Sequence, residues 1–151
     1  MTVTTFLWLE SGADEAAALY TAAIPNSRVT GSTPGPDGRA FIVTLDLDGH
    51  AVTLMNGGPG HPLTDAASLQ LSVHGQAEVD RLWAALTADG GTPGPCGWLT
   101  DRFGLSWQVV PDELPELMGS PEPARAGAVA TALRGMSKID IAALRAAHDR
   151  G

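Results

Sequence analysis

Cys96-Gly97-Trp98-Leu99-Thr100-Asp101-Arg102-Phe103-Gly104-Leu105-Ser106-Trp107-Gln108-Val109-Val110-Pro111 has the pattern of a hairpin turned at a glycine. Two strand-like runs, Cys96 to Leu99 and Ser106 to Val110, close on Phe103-Gly104, with Asp101 placed to accept backbone amides and set the turn. Moved back by 55 positions, Gly104 falls on Gly49, Trp107 on Val52 and Val109 on Leu54. An earlier hairpin of the same kind is therefore expected, with Ala40 to Leu47 and Ala51 to Met55 joined at Asp48-Gly49.

The match extends outward from the hairpins. Thr4 to Leu9 reads as a strand, and Ser11 with Asp14 as the capping box of a helix whose apolar face is Ala16, Leu19, Tyr20, Ala23 and Ile24. Pro25-Asn26 ends that helix, and a short strand at Arg28 to Thr30 leads into the Pro34 to Gly38 loop. After the Gly57-Gly58-Pro59-Gly60 break the pattern restarts, with a strand at Ala67 to Val73 and a helix at Glu78 to Leu86 bearing Val79, Leu82, Trp83 and Leu86. Glu15 and Glu78 are 63 apart, as are Leu19 and Leu82; Leu7 and Leu71 are 64 apart. The repeated unit is strand, helix, strand, strand, strand. This predicts an α+β protein of two βαβββ repeats, forming a curved mixed sheet with helices outside.

Alternation along the strands sorts the side chains by face. Leu7, Leu9, Val52, Leu54, Leu69, Leu71, Val73, Trp107 and Val109 point toward the helices. Thr4, Phe6, Trp8, Ala51, Thr53, Met55, Ser68, Gln70, Ser72, Ser106 and Gln108 take the other face. A solvated face would carry Lys, Glu and Asp. One that mixes aromatic, hydroxyl and amide groups fits a concave surface holding a small molecule; the structural alternative is a polar-lined interior filled by a loop or a second subunit.

The rest of the composition excludes more than it assigns. At 151 residues the chain is long enough for one domain with a sizeable core. Nine Lys and Arg against seventeen Asp and Glu give a net charge of -8, which repels phosphate backbones and excludes nucleic acid as the main partner. No apolar run approaches the roughly 18 residues of a membrane span, and Cys96 is the single cysteine, so a cytoplasmic protein without disulfides is expected.

With the repeat in place, the chain resembles the vicinal oxygen chelate superfamily, the glyoxalase and bleomycin-resistance fold, and within it the PhnB-like branch carrying the 3-demethylubiquinone-9 3-methyltransferase domain. Architecture carries the resemblance over residues 4 to 111. The motifs are Asn56-Gly57-Gly58-Pro59, Cys96 to Pro111 and, in the tail, Ile139-Asp140-Ile141-Ala142-Ala143-Leu144. It implies a glyoxalase-like domain over 1–111 in two modules, about 1–60 and 61–111, extended by helices over 112–151. The superfamily's metal enzymes hold a divalent ion with two His and two Glu on the cup face. Those positions fall here on Thr4, Thr53, Ser68 and Gln108, none an imidazole or a carboxylate. No metal or other cofactor is expected. The methyltransferase label finds no support in a nucleotide cradle, because Gly57 to Gly60 leads to Pro62 and a strand, not to a helix. The resemblance also implies a homodimer.

The ligand-contacting set expected from face and residue type is Phe6, Trp8, Thr53, Met55, Ser68, Gln70, Trp98 and Gln108. Cys96 and His61 are the candidates for catalysis, each set against a plainer role: a small strand hydrophobe for Cys96, an exposed loop residue for His61. His50 and His74 read as exposed, Arg102 as able to reach an anion, and Trp83 and Trp107 as buried. Beyond Pro111, helices are expected at Glu113 to Met118, from Ser120-Pro121 to about Arg134, and after a Ser137 to Asp140 cap. Two functions stay open. One is a protein that binds a small metabolite in a cup without the usual metal ligands; the other is an enzyme acting without the usual metal on a small oxygenated or aromatic substrate, with Gln70 and Gln108 orienting it.

Overall fold

The computed structural model describes residues 1–151, which cluster into two units, Met1–Thr64 and Asp65–Gly151. The first holds β1 (Thr5–Leu9), α1 (Ala13–Ala23), β2 (Arg28–Pro34), β3 (Ala40–Leu47) and β4 (His50–Asn56), in sheet order β1-β4-β3-β2. The second holds β5 (Ser68–Val73), α2 (Gly75–Thr87), β6 (Thr92–Pro93), β7 (Trp98–Thr100) and β8 (Ser106–Pro111), in order β5-β8-β7-β6. Three tail helices follow in the same unit, α3 (Glu113–Met118), α4 (Pro123–Arg134) and α5 (Ile141–Arg150). The α+β class with two βαβββ modules and a helical tail is present as expected, its eight strands hydrogen-bonded as two mixed sheets of four. No helix is long and apolar enough to cross a membrane.

The repeat is visible in the ladders. β1 runs parallel to β4 with Leu7 opposite Leu54, and β5 runs parallel to β8 with Leu71 opposite Val109. Adding 64 to the first member and 55 to the second turns every pair of one ladder into a pair of the other. Leu7, Leu9, Val43, Leu45, Val52 and Leu54 are buried, as are Ala16, Tyr20 and Ala23 of α1. In the second unit Leu99, Trp107 and Val109 are buried, with Val79, Leu82 and Leu86 of α2. Each such large side chain contributes about 1.5–3 kcal/mol on leaving water. Leu19 and Trp83, expected inside, sit half-exposed at the margins of their helix stripes, and Leu69, Leu71 and Val73 on edge strand β5 are also only partly covered.

Local departures from the sequence-based expectations trace to partners far along the chain. Ser11 and Asp14 form no capping box: the N-cap of α1 is Gly12, at φ 83. The cap comes from β4 instead, where Asn56 Oδ1 accepts the Ala13 N–H at 2.8 Å while its Nδ2 donates to Ala40 O at 2.7 Å. A single amide thus ties the helix start to β3 and β4, with a cap worth about 1 kcal/mol. β2 runs on to Pro34 rather than stopping at Thr30, because β3 offers it a ladder past a bulge between Val29 and Gly31. As an edge strand it tolerates the proline. Asp48 and Gly49, at φ 49 and 89, make the expected two-residue hairpin turn.

In the second unit the tail sets the shape of the chain before β7. Cys96 and Gly97, expected at the start of a strand, take left-handed angles of φ 57 and 84. Their N–H groups donate to Met136 O at 2.8 Å and Ser137 O at 2.7 Å, so the strand begins only at Trp98. Ser137 is not part of a cap. Its Oγ donates to Gly94 O at 2.5 Å, and Asp140 alone caps α5 by accepting the Ala143 N–H at 2.9 Å. α4 starts at Pro123, later than expected, where a missing N–H costs nothing. Gln76 of α2 fastens the tail from the other side: its Oε1 accepts the Ile141 N–H at 2.9 Å and its Nε2 donates to Ile139 O at 3.0 Å. Lys138 and Gln76 both bond Asp80 and hold its carboxyl below the usual carboxylate range. Val129, Ile139 and Leu144 form the buried centre of the tail, packed against Leu117 and Leu133.

At the end of the second sheet His74 Nδ1 meets Asp112 Oδ2 at 2.9 Å, on the surface. The hydrogen bond to Asp112, with its charge and that of Glu113, raises the His74 pKa, and the same bond lowers that of Asp112. A raised histidine stabilises the fold below its unfolded pKa and loses that contribution as pH rises through the folded value. A lowered carboxylate stabilises above its unfolded pKa and loses that as pH falls through the folded value. The pair therefore acts in the window between the two. Following His74 by NMR, the titration is expected to move to lower pH in Asp112→Asn; an unmoved midpoint would discount the contact.

Candidate functional site

The open face of the first sheet is mostly apolar. Phe6 pairs with Thr53 and Thr53 with Thr44 in one row; Trp8 pairs with Met55 and Met55 with Ile42 in the next. Phe6 is 56 % exposed, an unusual condition for a phenylalanine on a strand. Trp8 is more occupied than its sequence position implied. Its indole N–H donates to Gly58 O at 2.8 Å, and the ring of His61 lies 4.3 Å from its own, tilted by 51°. A Cβ on Gly57 would sit 2.2 Å from Trp8 Cε2, so only glycine lets the chain pass over this ring. The Gly57-Gly58 motif, which reads in sequence only as a break, thus seats Trp8 and brings His61 onto it. Thr4 lies before β1 and is exposed, while the neighbouring Thr5 Oγ1 is 2.9 Å from Nε2 of exposed His50. A cleft of about 780 Å³ in this unit lies elsewhere, at the N-terminal end of α1 beside Asp14, Glu15, Arg39 and Phe41.

The open face of the second sheet is polar and uncharged. Gln70 pairs with Gln108, and Gln108 with Trp98, so the three stand in one row across β5, β8 and β7. Gln108 Nε2 donates to Ser68 Oγ at 2.9 Å, and Gln70 Nε2 faces Ser72 Oγ at 3.5 Å. Ser68, Trp98 and Gln108 are half-buried and Gln70 is exposed. Ser106, expected on this open face, is instead buried at 2 %. It stands in an inner strand between Ser68 and Thr100, where a small side chain is covered by its neighbours.

Of the other candidates, Cys96 is half-buried and its Sγ–H donates to Leu133 O in the tail at 3.5 Å. Asp101 is buried at 3 %; its Oδ1 accepts the Phe103 and Leu105 N–H groups at 2.8 and 3.1 Å, and its Oδ2 accepts the Trp107 indole at 2.8 Å. That is the turn-setting role expected of it. Arg102 pairs with Asp89 at 3.0 Å and lies over the Phe103 ring.

The residues at the four superfamily metal positions do not fit a divalent cation. Thr4, Thr53, Ser68 and Gln108 offer only neutral oxygens, two of these residues bond each other, and no three of His, Cys, Asp or Glu gather anywhere in the chain.

Two βαβββ modules, each with its first strand parallel to its last and a helix on one face, define a glyoxalase-fold protein of the vicinal oxygen chelate superfamily. The chain belongs to the 3-demethylubiquinone-9 3-methyltransferase family, whose model matches residues 1–110. It is similar to the PhnB protein of Bacillus cereus, with 26% identity and a TM-score of 0.65 over 74% of this chain and 99% of that one. The structure of PA1353 from Pseudomonas aeruginosa is 21% identical, with a TM-score of 0.59 over 74% and 97% of the two chains. The fold is shared at 16% identity with the fosfomycin resistance protein FosX of Listeria monocytogenes, with a TM-score of 0.54 over 77% and 96%. No curated protein matches the sequence. The family model stops one residue before the end of β8, so α3 to α5 lie outside it.

Proposed function

We propose that the protein binds a small uncharged metabolite through the open faces of its sheets, and does so without a divalent metal. The contact residues in this reading are Phe6, Trp8, Thr53 and Met55 on the first sheet and Ser68, Gln70, Trp98 and Gln108 on the second. The supporting observation is the second face. Its amides, half-buried at Gln108 and exposed at Gln70, each contact a serine where a plain solvated sheet would carry charged side chains. Such groups orient a ligand by hydrogen bonds, while the aromatic rings supply contact area at low entropic cost. Pairing of two copies belongs to the same proposal, supported by edge strand β2, whose Val29 is 49 % exposed.

The second reading, a metal-independent enzyme acting on a small oxygenated or aromatic substrate, has one observation in its favour. His61 places an imidazole ring 4.3 Å from that of Trp8, tilted by 51°. Methyl transfer gains nothing from the glycines: the loop after β4 leads to β5, and Gly57 is taken up by Trp8.

A thermal-shift screen of metabolite classes and divalent metals is the test. Stabilisation by uncharged aromatic or oxygenated compounds, unchanged by a chelator, is the expected result. A large divalent-metal shift that disappears in a Gln108→Ala, Ser68→Ala variant would overturn the metal-free reading.

A further inference from the structure

The geometry points to a ligand class for the open face of the second sheet: an uncharged planar ring bearing both an N–H and a carbonyl oxygen, as a lactam or ring carboxamide does. This inference rests on the small-molecule reading above and narrows it. Gln70, Gln108 and Trp98 form one row across three strands. At about 4.8 Å between strands, the row has room for one or two fused rings.

The hydrogen bonds already made decide what the row still offers. An amide nitrogen carries two hydrogens. Gln108 gives one to Ser68 and keeps the other together with its oxygen, and the longer contact of Gln70 to Ser72 leaves that side chain with the same pair. The Trp98 indole N–H has no acceptor within the chain and is not sealed from solvent. The row therefore offers both donors and acceptors, and the neighbouring Ser72, Thr100 and Val110 add no charge.

Three other ligand classes meet this face poorly. A carboxylate would lose its water with no cation on the face to receive it. An ammonium would meet only neutral oxygens. A bare hydrocarbon would dehydrate two amides without replacing their hydrogen bonds. A lactam satisfies both sides, its N–H going to a glutamine oxygen and its carbonyl to the remaining amide N–H or to the indole. The equivalent row of the first sheet, Phe6, Thr53 and Thr44, has no amide, so this recognition belongs to the second sheet alone.

The test uses the full chain and three probes: 2-quinolinone, its N-methyl derivative and quinoline-2-carboxylate. Binding is read by NMR from the side-chain amide resonances of Gln70 and Gln108 and the indole resonance of Trp98. The expected result is that 2-quinolinone moves all three and binds about tenfold more tightly than either other probe. Gln70→Leu, at an exposed position, and Gln108→Leu are each expected to remove most of that preference. Equal binding of 2-quinolinone and its N-methyl derivative, or tighter binding of the carboxylate, overturns the ligand class and leaves small-molecule binding standing. If neither these probes nor a broad metabolite panel moves any of the three resonances, both readings fall.

Discussion

Replacing Asp101 by Ala is expected to cost at least about 3 kcal/mol of unfolding free energy. Its carboxylate holds three donors, the backbone N–H groups of Phe103 and Leu105 and the indole of Trp107, within a turn whose Leu105 and Trp107 are themselves buried. Alanine takes this acceptor from all three, two of the bonds being buried, and the loss of each buried one costs about 1–3 kcal/mol. Asp101→Asn should lose less, about 1–2 kcal/mol, because its one oxygen can serve the backbone pair while its NH₂ opposes the indole N–H. That opposition has a signature. In a Trp107→Phe background the indole is gone, and the asparagine penalty should shrink. Urea melts followed by near-ultraviolet circular dichroism measure all four corners of the cycle. An alanine variant within about 1 kcal/mol of the parent would show that the turn holds itself without the carboxylate.

Gly97→Ala is expected to destabilise the second unit by about 2–4 kcal/mol. The position sits at φ 84, where an L side chain is strained. Its Cβ would also lie 2.8 Å from Ile139 Cδ1 and 2.9 Å from the carbonyl oxygen of Val109. The second contact is with backbone and cannot yield without disturbing β8. Shortening the first partner tests the packing share: the double variant Gly97→Ala with Ile139→Ala should cost less than the sum of the two single variants, because the clash with Ile139 is gone. Thermal unfolding gives the energies, and limited proteolysis after residue 111 reports whether the tail has come away. Full additivity in the double variant would place the whole effect in the backbone angle.

These two residues mark the boundary of what the sequence makes legible. Asp101 lies two residues from the N–H it serves first, and its role follows from turn chemistry alone. The paired ladders are equally legible, because the offset that carries Leu7 to Leu71 must carry Val52 to Trp107 if the hydrophobic period is to be kept on one side of a sheet. What alternation supplies is the side of the sheet, not the cover over it, so Ser106 and Gln108 read alike although only the first is buried. Partners forty or more residues away leave no local mark. Asn56 capping Ala13, Met136 and Ser137 receiving Cys96 and Gly97, and His61 lying on Trp8 are all of that kind. Gly57 came nearest to giving such a contact away, since a glycine pair following a strand can mean close approach of a ring as well as a break.

The way the tail is fastened also fixes an order of events during synthesis. In the first unit both ends of the Asn56 bridge lie within residues 1–64 and can meet while the rest of the chain is still being made. The second unit cannot close that early. Cys96 and Gly97 wait for Met136 and Ser137, and Gln76 waits for Ile139 and Ile141, so α2 and β7 reach their final positions only after some forty to sixty-five further residues have left the ribosome. Until then the row bearing Gln70, Gln108 and Trp98, the proposed binding face, lacks the hydrogen bonds that hold the chain entering β7.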